Sequence, residues 1–278
     1  MASISQPYAG PPADVGVIGG SGFYAFLDDA EQVEIDTPWG PPSDPLTLGE
    51  VAGRRVAFVP RHGRDHRFAP HRVNYRANLW ALRMTGVRQV LAPCAVGSLR
   101  PELGPGALVV PDQLVDRTWG REHTVYGEVG PAVHVALADP YCPHGRAAAV
   151  RVATEQDLDP LDGGTLVVIN GPRFFTRAES IWYAGQGWSV IGMTGAPEAS
   201  LARELALCYT AVALVTDYDA GVATGYGVTQ AEVFAVFAAN IERLRALLRT
   251  LVPALPPADA DCTCRHALDG VSLPFALP

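Results

Sequence analysis

The stretch Val15-Gly16-Val17-Ile18-Gly19-Gly20-Ser21-Gly22 constrains this chain more than any other. Valine and isoleucine are β-branched and favour extended backbone, so Val15 to Ile18 reads as a short buried strand. Gly19, Gly20 and Gly22 then let the backbone turn sharply and lie close to a ligand, with no Cβ in the way. Amide N–H groups freed in such a turn bind anions, and Ser21 adds a hydroxyl donor. The same residues also suit a strand-to-loop turn that holds nothing. The Lys-Ser/Thr ending of a nucleotide-triphosphatase loop is missing, and the GxGxxG spacing of a dinucleotide site is not met.

The chain beyond that turn decides the fold class. Apolar runs alternate with helical patterns along it. Strands are expected at Leu46 to Leu48, Val51 to Val59 with a turn at Gly53, Val90 onward stopping at Pro93, Ala107 to Pro111, Gly164 to Ile169, Ser189 to Ile191 and Tyr209 to Val215. Helices are expected over Asn74 to Thr85 with Gly86 as the stop, from Arg146, Glu179 and Ala196, and over Thr229 to Leu251. Asp112 to Tyr126 reads as an irregular loop. Nearly every strand ends in Gly, Arg, His, Thr, Ser or Asp. That pattern is an α/β fold with a mainly parallel sheet and functional groups at the strand C-terminal ends.

The 278 residues are 48% hydrophobic, enough for one substantial core, and no run of about 18 apolar residues is there to cross a membrane. The net charge of −8 argues against nucleic acid, so a bound phosphate needs a local cluster of donors. Residues 1–12 are polar and proline-containing, lack a signal-peptide pattern and read as a disordered lead-in. Residues 13–255 read as one domain and 256–278 as an irregular tail. The five cysteines, at 94, 142, 208, 262 and 264, are odd in number and widely spread, which suggests reduced thiols in the cytoplasm. Cys262-Thr263-Cys264 reads as two isolated thiols near the tail, against a two-ligand metal hook or a strained redox pair.

Three strand ends share a chemistry: Gly19 to Gly22, Arg61-His62 and Thr194. Gathered in one pocket they supply amides, a guanidinium, an imidazole and a hydroxyl, a set suited to a tetrahedral oxyanion such as inorganic phosphate. Taken singly, Arg61 also fits a surface ion pair, and His62 and His66 fit satisfied polar histidines. A metal at His62 and His66 is a poor reading, because Gly63 after a strand argues for a loop and the Glu of a His-Glu-x-x-His helix is replaced by Gly. Asp217 and Asp219, at i and i+2 of an extended stretch, point to one face. They suit a polar heterocycle, or a capped turn. Phe174 and Met193 are apolar neighbours of such a site, or core. Ser98 lacks a nucleophile elbow, and nothing pairs Cys94 with a histidine.

Together and in order, Ile18-Gly19-Gly20-Ser21-Gly22, Arg61-His62-Gly63-Arg64-Asp65-His66, Val73-Asn74-Tyr75-Arg76-Ala77-Asn78, Gly171-Pro172-Arg173-Phe174, Gly192-Met193-Thr194 and Thr216-Asp217-Tyr218-Asp219 resemble the 5'-methylthioadenosine phosphorylases. These form part of the trimeric branch of the purine nucleoside phosphorylase superfamily, and the likeness runs from about Val15 to Leu251. The resemblance implies a single α/β domain whose mixed central sheet curls partly into a barrel flanked by helices, in a homotrimer or, alternatively, a hexamer. It places phosphate donors at Ser21, Arg61, His62 and Thr194. A phosphate-contacting Thr of the family falls at Cys94, a weaker donor, which shifts weight to the N–H of Ala95. It places the base and sugar at Phe174, Met193, Asp217 and Asp219, with the two aspartates as the catalytic pair. Relatives that take 6-oxopurines usually carry Asn at the Asp217 position, so Asp favours adenine. Phe175 stands where the family has a small hydroxyl residue. The pocket for the 5'-group falls to His66, Gln230, Val233 and, from a neighbouring subunit, His134.

The implied reaction is phosphate-dependent cleavage of the N-glycosidic bond of 5'-methylthioadenosine to adenine and 5-methylthioribose 1-phosphate. The alternatives are a 6-oxopurine nucleoside (methylthioinosine or inosine) or another 5'-deoxy- or 5'-halo-adenosine. The expected partners are a small nucleoside and inorganic phosphate as co-substrate, with no metal, organic cofactor, nucleic acid or membrane.

Overall fold

A computed structural model describes residues 8–20, 27–127, 130–220 and 229–278. In chain order its elements are β1 (Val15–Gly19), β2 (Asp28–Val33), β3 (Leu46–Val51), β4 (Arg54–Pro60), α1 (Tyr75–Met84), β5 (Gln89–Ser98), β6 (Leu108–Val110), β7 (Gln113–Arg117), α2 (Pro143–Glu155), β8 (Leu161–Asp162), β9 (Thr165–Ile169), α3 (Arg177–Gly185), β10 (Val190–Gly192), α4 (Glu198–Glu204), β11 (Cys208–Tyr218) and α5 (Gln230–Ala254).

Local chemistry explains the boundaries. The Asn74 side chain accepts from the N–H of Ala77 and caps α1. Thr176 and Glu179 form a capping box at the start of α3, and Thr229 and Glu232 form another at the start of α5. The β3–β4 turn falls at Ala52 and Gly53, both with positive φ. Gly16 lies under α1, where a Cβ would come within 3.0 Å of Val87 and 3.1 Å of Leu82.

These strands form one mixed sheet that forks at β5. Its main path runs β2-β3-β4-β1-β5-β10-β9-β7, and β11 branches from β5 towards β6 and β8. The pairs β1–β4, β1–β5, β5–β11, β9–β10, β7–β9 and β6–β8 are parallel, so a mainly parallel sheet is what forms. β5 pairs with β11 along its whole length, whereas its other edge holds β1 at Gln89–Leu91 and β10 at Gly97 and Ser98. Between those contacts the edge of β5 parts from both neighbours, and a crevice opens there, as expected where strand direction switches.

Two expectations about the strands are corrected. The strand begun at Val90 does not stop at Pro93 but continues to Ser98. Pro93 is tolerated because its missing N–H falls where β1 has already left the ladder. Part of the expected loop at 112–126 is a strand, β7, paired with β9. Its sequence Gln-Leu-Val-Asp-Arg is short and half-exposed at the sheet edge, so no clean alternation marks it.

Helices cover both faces. Leu79 and Leu82 of α1 pack with Leu201 and Ala202 of α4 in one core cluster. Ala149 and Val152 of α2 pack with Leu247, Leu248 and Leu251 of α5 in another. Residues 1–7 of the expected lead-in lie outside the described residues, while Tyr8 packs against the core. The reading of Cys262 and Cys264 as isolated thiols is overturned. The N–H of Cys142 donates to the carbonyl of Tyr209, which sets the starts of α2 and β11 side by side. The tail after α5 returns to that edge, so Cys142, Cys208, Cys262 and Cys264 form one buried cluster.

Candidate active site

The crevice beside β5 is a cavity of about 220 Å³. Strand ends build its walls: Gly20 after β1, Arg61 and His62 after β4, Pro93 to Gly97 from β5, Ile191 to Thr194 around the end of β10, and Thr216 and Asp217 from β11. Ala95 is exposed in an otherwise buried strand because it faces this space.

The polar end is built on Arg61. Its Nε donates to Glu198 Oε1 at 2.5 Å, its Nη2 to Glu198 Oε2 at 3.1 Å and its Nη1 to the carbonyl of Pro93 at 3.1 Å. A guanidinium has five N–H groups, so two remain for a ligand. Burial works against the charge, but Glu198 outweighs it and holds the guanidinium protonated well above its ordinary range. Tyr209 donates to Glu198 Oε2 at 2.8 Å and fixes the carboxylate. His62 Nδ1 lies 2.8 Å from the carbonyl of Phe68. Burial and then the Arg61 charge push the imidazole down to about 4, so it is neutral near pH 7. A carbonyl can only accept, which assigns the proton to Nδ1 and turns Nε2 outward as an acceptor. Thr194 is buried on the same wall. Cys94 completes it, its thiol pushed up by burial to about 11 and therefore neutral.

The opposite wall carries Asp217. A register shift between Val215 and Asp217 of β11 turns the end of that strand. Thr216 Oγ1 donates to Asp217 Oδ2 at 2.8 Å. Burial pushes the Asp217 carboxyl up to about 6 despite that bond, and Asp219 adds to the rise. Asp219 does not line the cavity. It is buried, accepts from Ser180 Oγ, and is also raised, first by burial. Phe174 and Met193 supply apolar wall between the two ends, with Phe175 beside them.

The third side is apolar. His66 stacks on His62 with ring centroids 4.4 Å apart and meets Phe234 edge-on at 6.4 Å. Val233, Phe234 and Phe237 of α5 close the cavity there. Gln230 and His134 are exposed and off the wall of this chain's own cavity, and Ser21 lies outside the described residues.

Sequence reasoning missed three supporting groups. Glu198 is invisible as a partner because it lies 137 positions from Arg61, and in the short helix Glu-Ala-Ser-Leu-Ala-Arg-Glu nothing local sets it apart from Arg203 and Glu204. Arg121 is buried and donates to Tyr75 Oη and to the carbonyls of Ala196, Ile169, Asn170 and Met193, tying the strand ends below the cavity together. Phe237 sits one helical turn beyond Val233.

This geometry can hold an anion against Arg61 while presenting a protonatable carboxyl to a flat apolar group some distance away. A family model described as the phosphorylase superfamily matches residues 14–253. The chain is 63% identical over 274 residues to a purine nucleoside phosphorylase of Streptomyces coelicolor, covering 96% of this chain and 98% of the relative. It is 57% identical over 267 residues to an S-methyl-5'-thioadenosine phosphorylase of Mycolicibacterium smegmatis, covering 95% and 99%. Among solved structures it is similar to a methylthioadenosine phosphorylase from an antarctic soil metagenomic library, at a TM-score of 0.87 and 38% identity, covering 94% of this chain and 92% of that one.

Proposed function

The chain belongs to the phosphorylase superfamily, and we propose that it cleaves 5'-methylthioadenosine with inorganic phosphate, giving adenine and 5-methylthioribose 1-phosphate. One observation carries the reading: a buried guanidinium with two unspent N–H groups and a carboxyl raised to about 6 face the same cavity. The superfamily supplies the reaction class, and the relatives named for methylthioadenosine support the substrate.

Phosphate sits against Arg61, His62 and Thr194, with Ser21, Cys94 and the N–H of Ala95 completing its cradle. The bond from C1' to the purine lengthens first, and positive charge grows on the sugar. The phosphate stabilises that charge and then bonds C1' through one oxygen. The electron pair of the broken bond moves onto the purine. Asp217 delivers its proton to N7 and solvent returns one afterwards. A carboxyl poised near 6 is suited to that exchange near neutral pH. Asp219 acts from behind, as a second negative group that helps keep Asp217 protonated. Phe174 and Met193 flank the base, and His66 and Val233 contact the 5'-group, with Gln230 at its outer margin. Phosphate is the co-substrate; no metal or organic cofactor takes part in these steps.

The proposed assembly is a homotrimer, with a hexamer as the larger form, in the cytoplasm. Exposed Trp119, Ile181 and Trp182 support a surface covered by a second copy, at 74%, 55% and 49% exposure. In that assembly His134, exposed on its own chain, contributes to a neighbour's 5'-pocket. Among the described residues no helix is long and apolar enough to cross a membrane.

The Streptomyces relative is named for purine nucleosides at large, and the second reading is a phosphorylase of 6-oxopurine nucleosides such as inosine or methylthioinosine. Asp217 weighs against it, because with its O–H given to N7 its other oxygen can only accept, which suits a 6-amino group and opposes a purine O6. Another 5'-deoxy- or 5'-halo-adenosine would use the same chemistry. The reading is tested by phosphorus NMR of a reaction with 5'-methylthioadenosine. Adenine and a sugar 1-phosphate in equal amounts are expected; free methylthioribose formed at the same rate without phosphate would contradict it.

A further inference from the structure

The buried cysteine cluster lies far from the cavity. Cys208 opens β11 and Asp217 comes nine residues later, so about 30 Å of extended chain separates them. Cys142 is the N-cap of α2, and Cys262 and Cys264 sit in a turn of the tail. All four are buried, and their sulfurs lie within 4.8 Å of one another, Cys142 to Cys262 at 3.6 Å.

That spacing has a chemical meaning. A tetrahedral centre with bonds to sulfur of about 2.3 Å sets its sulfurs about 3.8 Å apart. Two disulfides need two close pairs rather than four mutually neighbouring sulfurs. A cluster of several irons is a bulkier body and spreads its thiolates wider. Four thiolates this close to one another fit a single tetrahedral centre, and such a soft donor set favours zinc among the divalent ions. The surroundings suit the negative charge of such a site. The N–H of Gly145 points at Cys142 Sγ, 3.5 Å away, and the positive end of the 13-residue helix α2 lies against the cluster.

We propose that Cys142, Cys208, Cys262 and Cys264 bind one zinc ion as a tetrathiolate, fastening the C-terminal tail to the sheet edge where α2 and β11 begin. On binding, four zinc–sulfur bonds form and the four thiol protons pass to solvent; nothing is oxidised or reduced. The tail is otherwise held near its two ends. Arg54 Nη1 donates to the carbonyl of Leu255 at 2.8 Å, and Phe275 stacks on Tyr126 at 5.3 Å and meets Trp80 at 5.8 Å. The zinc site fixes the stretch between.

The test is elemental analysis of the full-length protein, purified without a metal-binding tag and under reducing conditions, with thiol titration and intact mass on the same sample. One zinc per chain is expected, with the four thiols shielded until a chelator is added. In C262S/C264S the zinc should be lost and the melting temperature should drop by about 5 °C or more. Should that variant fail to fold, cobalt substitution of the unaltered protein reads the site directly, through the charge-transfer and visible bands of tetrahedral cobalt thiolate. Zinc-free protein with four freely reactive thiols would overturn the proposal. So would a mass lower by four hydrogens, which denotes two disulfides, or iron in place of zinc.

Discussion

Arg61 and Glu198 lie 137 positions apart in the sequence and meet as an ion pair of 2.5 Å, with side chains 3% and 1% exposed. Removing one partner of such a pair leaves an uncompensated buried charge, at a cost of about 3–5 kcal/mol. Glu198→Gln is therefore expected to melt well below the unaltered protein. Phosphate would then offset part of the orphaned charge, so added phosphate should raise the melting temperature of the variant more than that of the parent. Equal melting temperatures without phosphate would show that Glu198 does not hold Arg61.

His62 gives a prediction about protons. Its imidazole is held down to about 4, first by burial and then by Arg61, so the free protein carries it neutral at pH 6. A bound anion beside the ring favours the charged form, so phosphate binding should draw a proton onto Nε2. Ring NMR at pH 6 should report a neutral His62 without phosphate and a partly charged one with it. His62→Ala should raise KM for phosphate about tenfold, the loss of one hydrogen bond to a charged group, and leave KM for the nucleoside nearly unchanged.

Asp217 is expected to cost the free protein stability. Its carboxyl is raised from 3.8 to about 6 in the folded chain, mainly by burial. A raised folded value means the group does no harm below its unfolded value and destabilises as pH rises through the folded one. A shift of this size corresponds to roughly 2–3 kcal/mol. Asp217→Asn should thus melt above the parent at pH 8, with the gain gone at pH 4, while turnover of 6-amino nucleosides falls. A variant less stable than the parent at pH 8 would contradict the account of its burial.

Much of this was legible in the chain, and the reasons differ by residue. Val15–Gly19, Arg54–Pro60 and Cys208–Tyr218 announce themselves because their apolar, valine-rich runs stop at glycine or at polar residues. The strand ends at Arg61, His62, Thr194 and Asp217 were marked by type, and the cavity gathers those side chains onto its walls. Pairings over long sequence distances left no local trace. Arg61 with Glu198, and Cys142 and Cys208 with Cys262 and Cys264, exist because the sheet and the returning tail bring them together. Strand β7 was hidden because a half-exposed edge strand lacks a buried face to enforce alternation.

The apolar side of the cavity predicts selectivity for the 5'-group. Val233 and Phe237 line it, and an apolar pocket distinguishes a small apolar substituent by about 10–200-fold. Val233→Asn should lower kcat/KM for 5'-methylthioadenosine by at least about tenfold relative to adenosine. An unchanged ratio would move the 5'-group elsewhere.

The central claim concerns which purine leaves and what it leaves to. Its most direct test is purine release from 5'-methylthioadenosine, 5'-methylthioinosine, adenosine and inosine, each with and without phosphate. Adenine release that needs phosphate and is fastest from 5'-methylthioadenosine is the predicted result. Hypoxanthine release from the inosine compounds at an equal or higher rate would contradict the reading of Asp217.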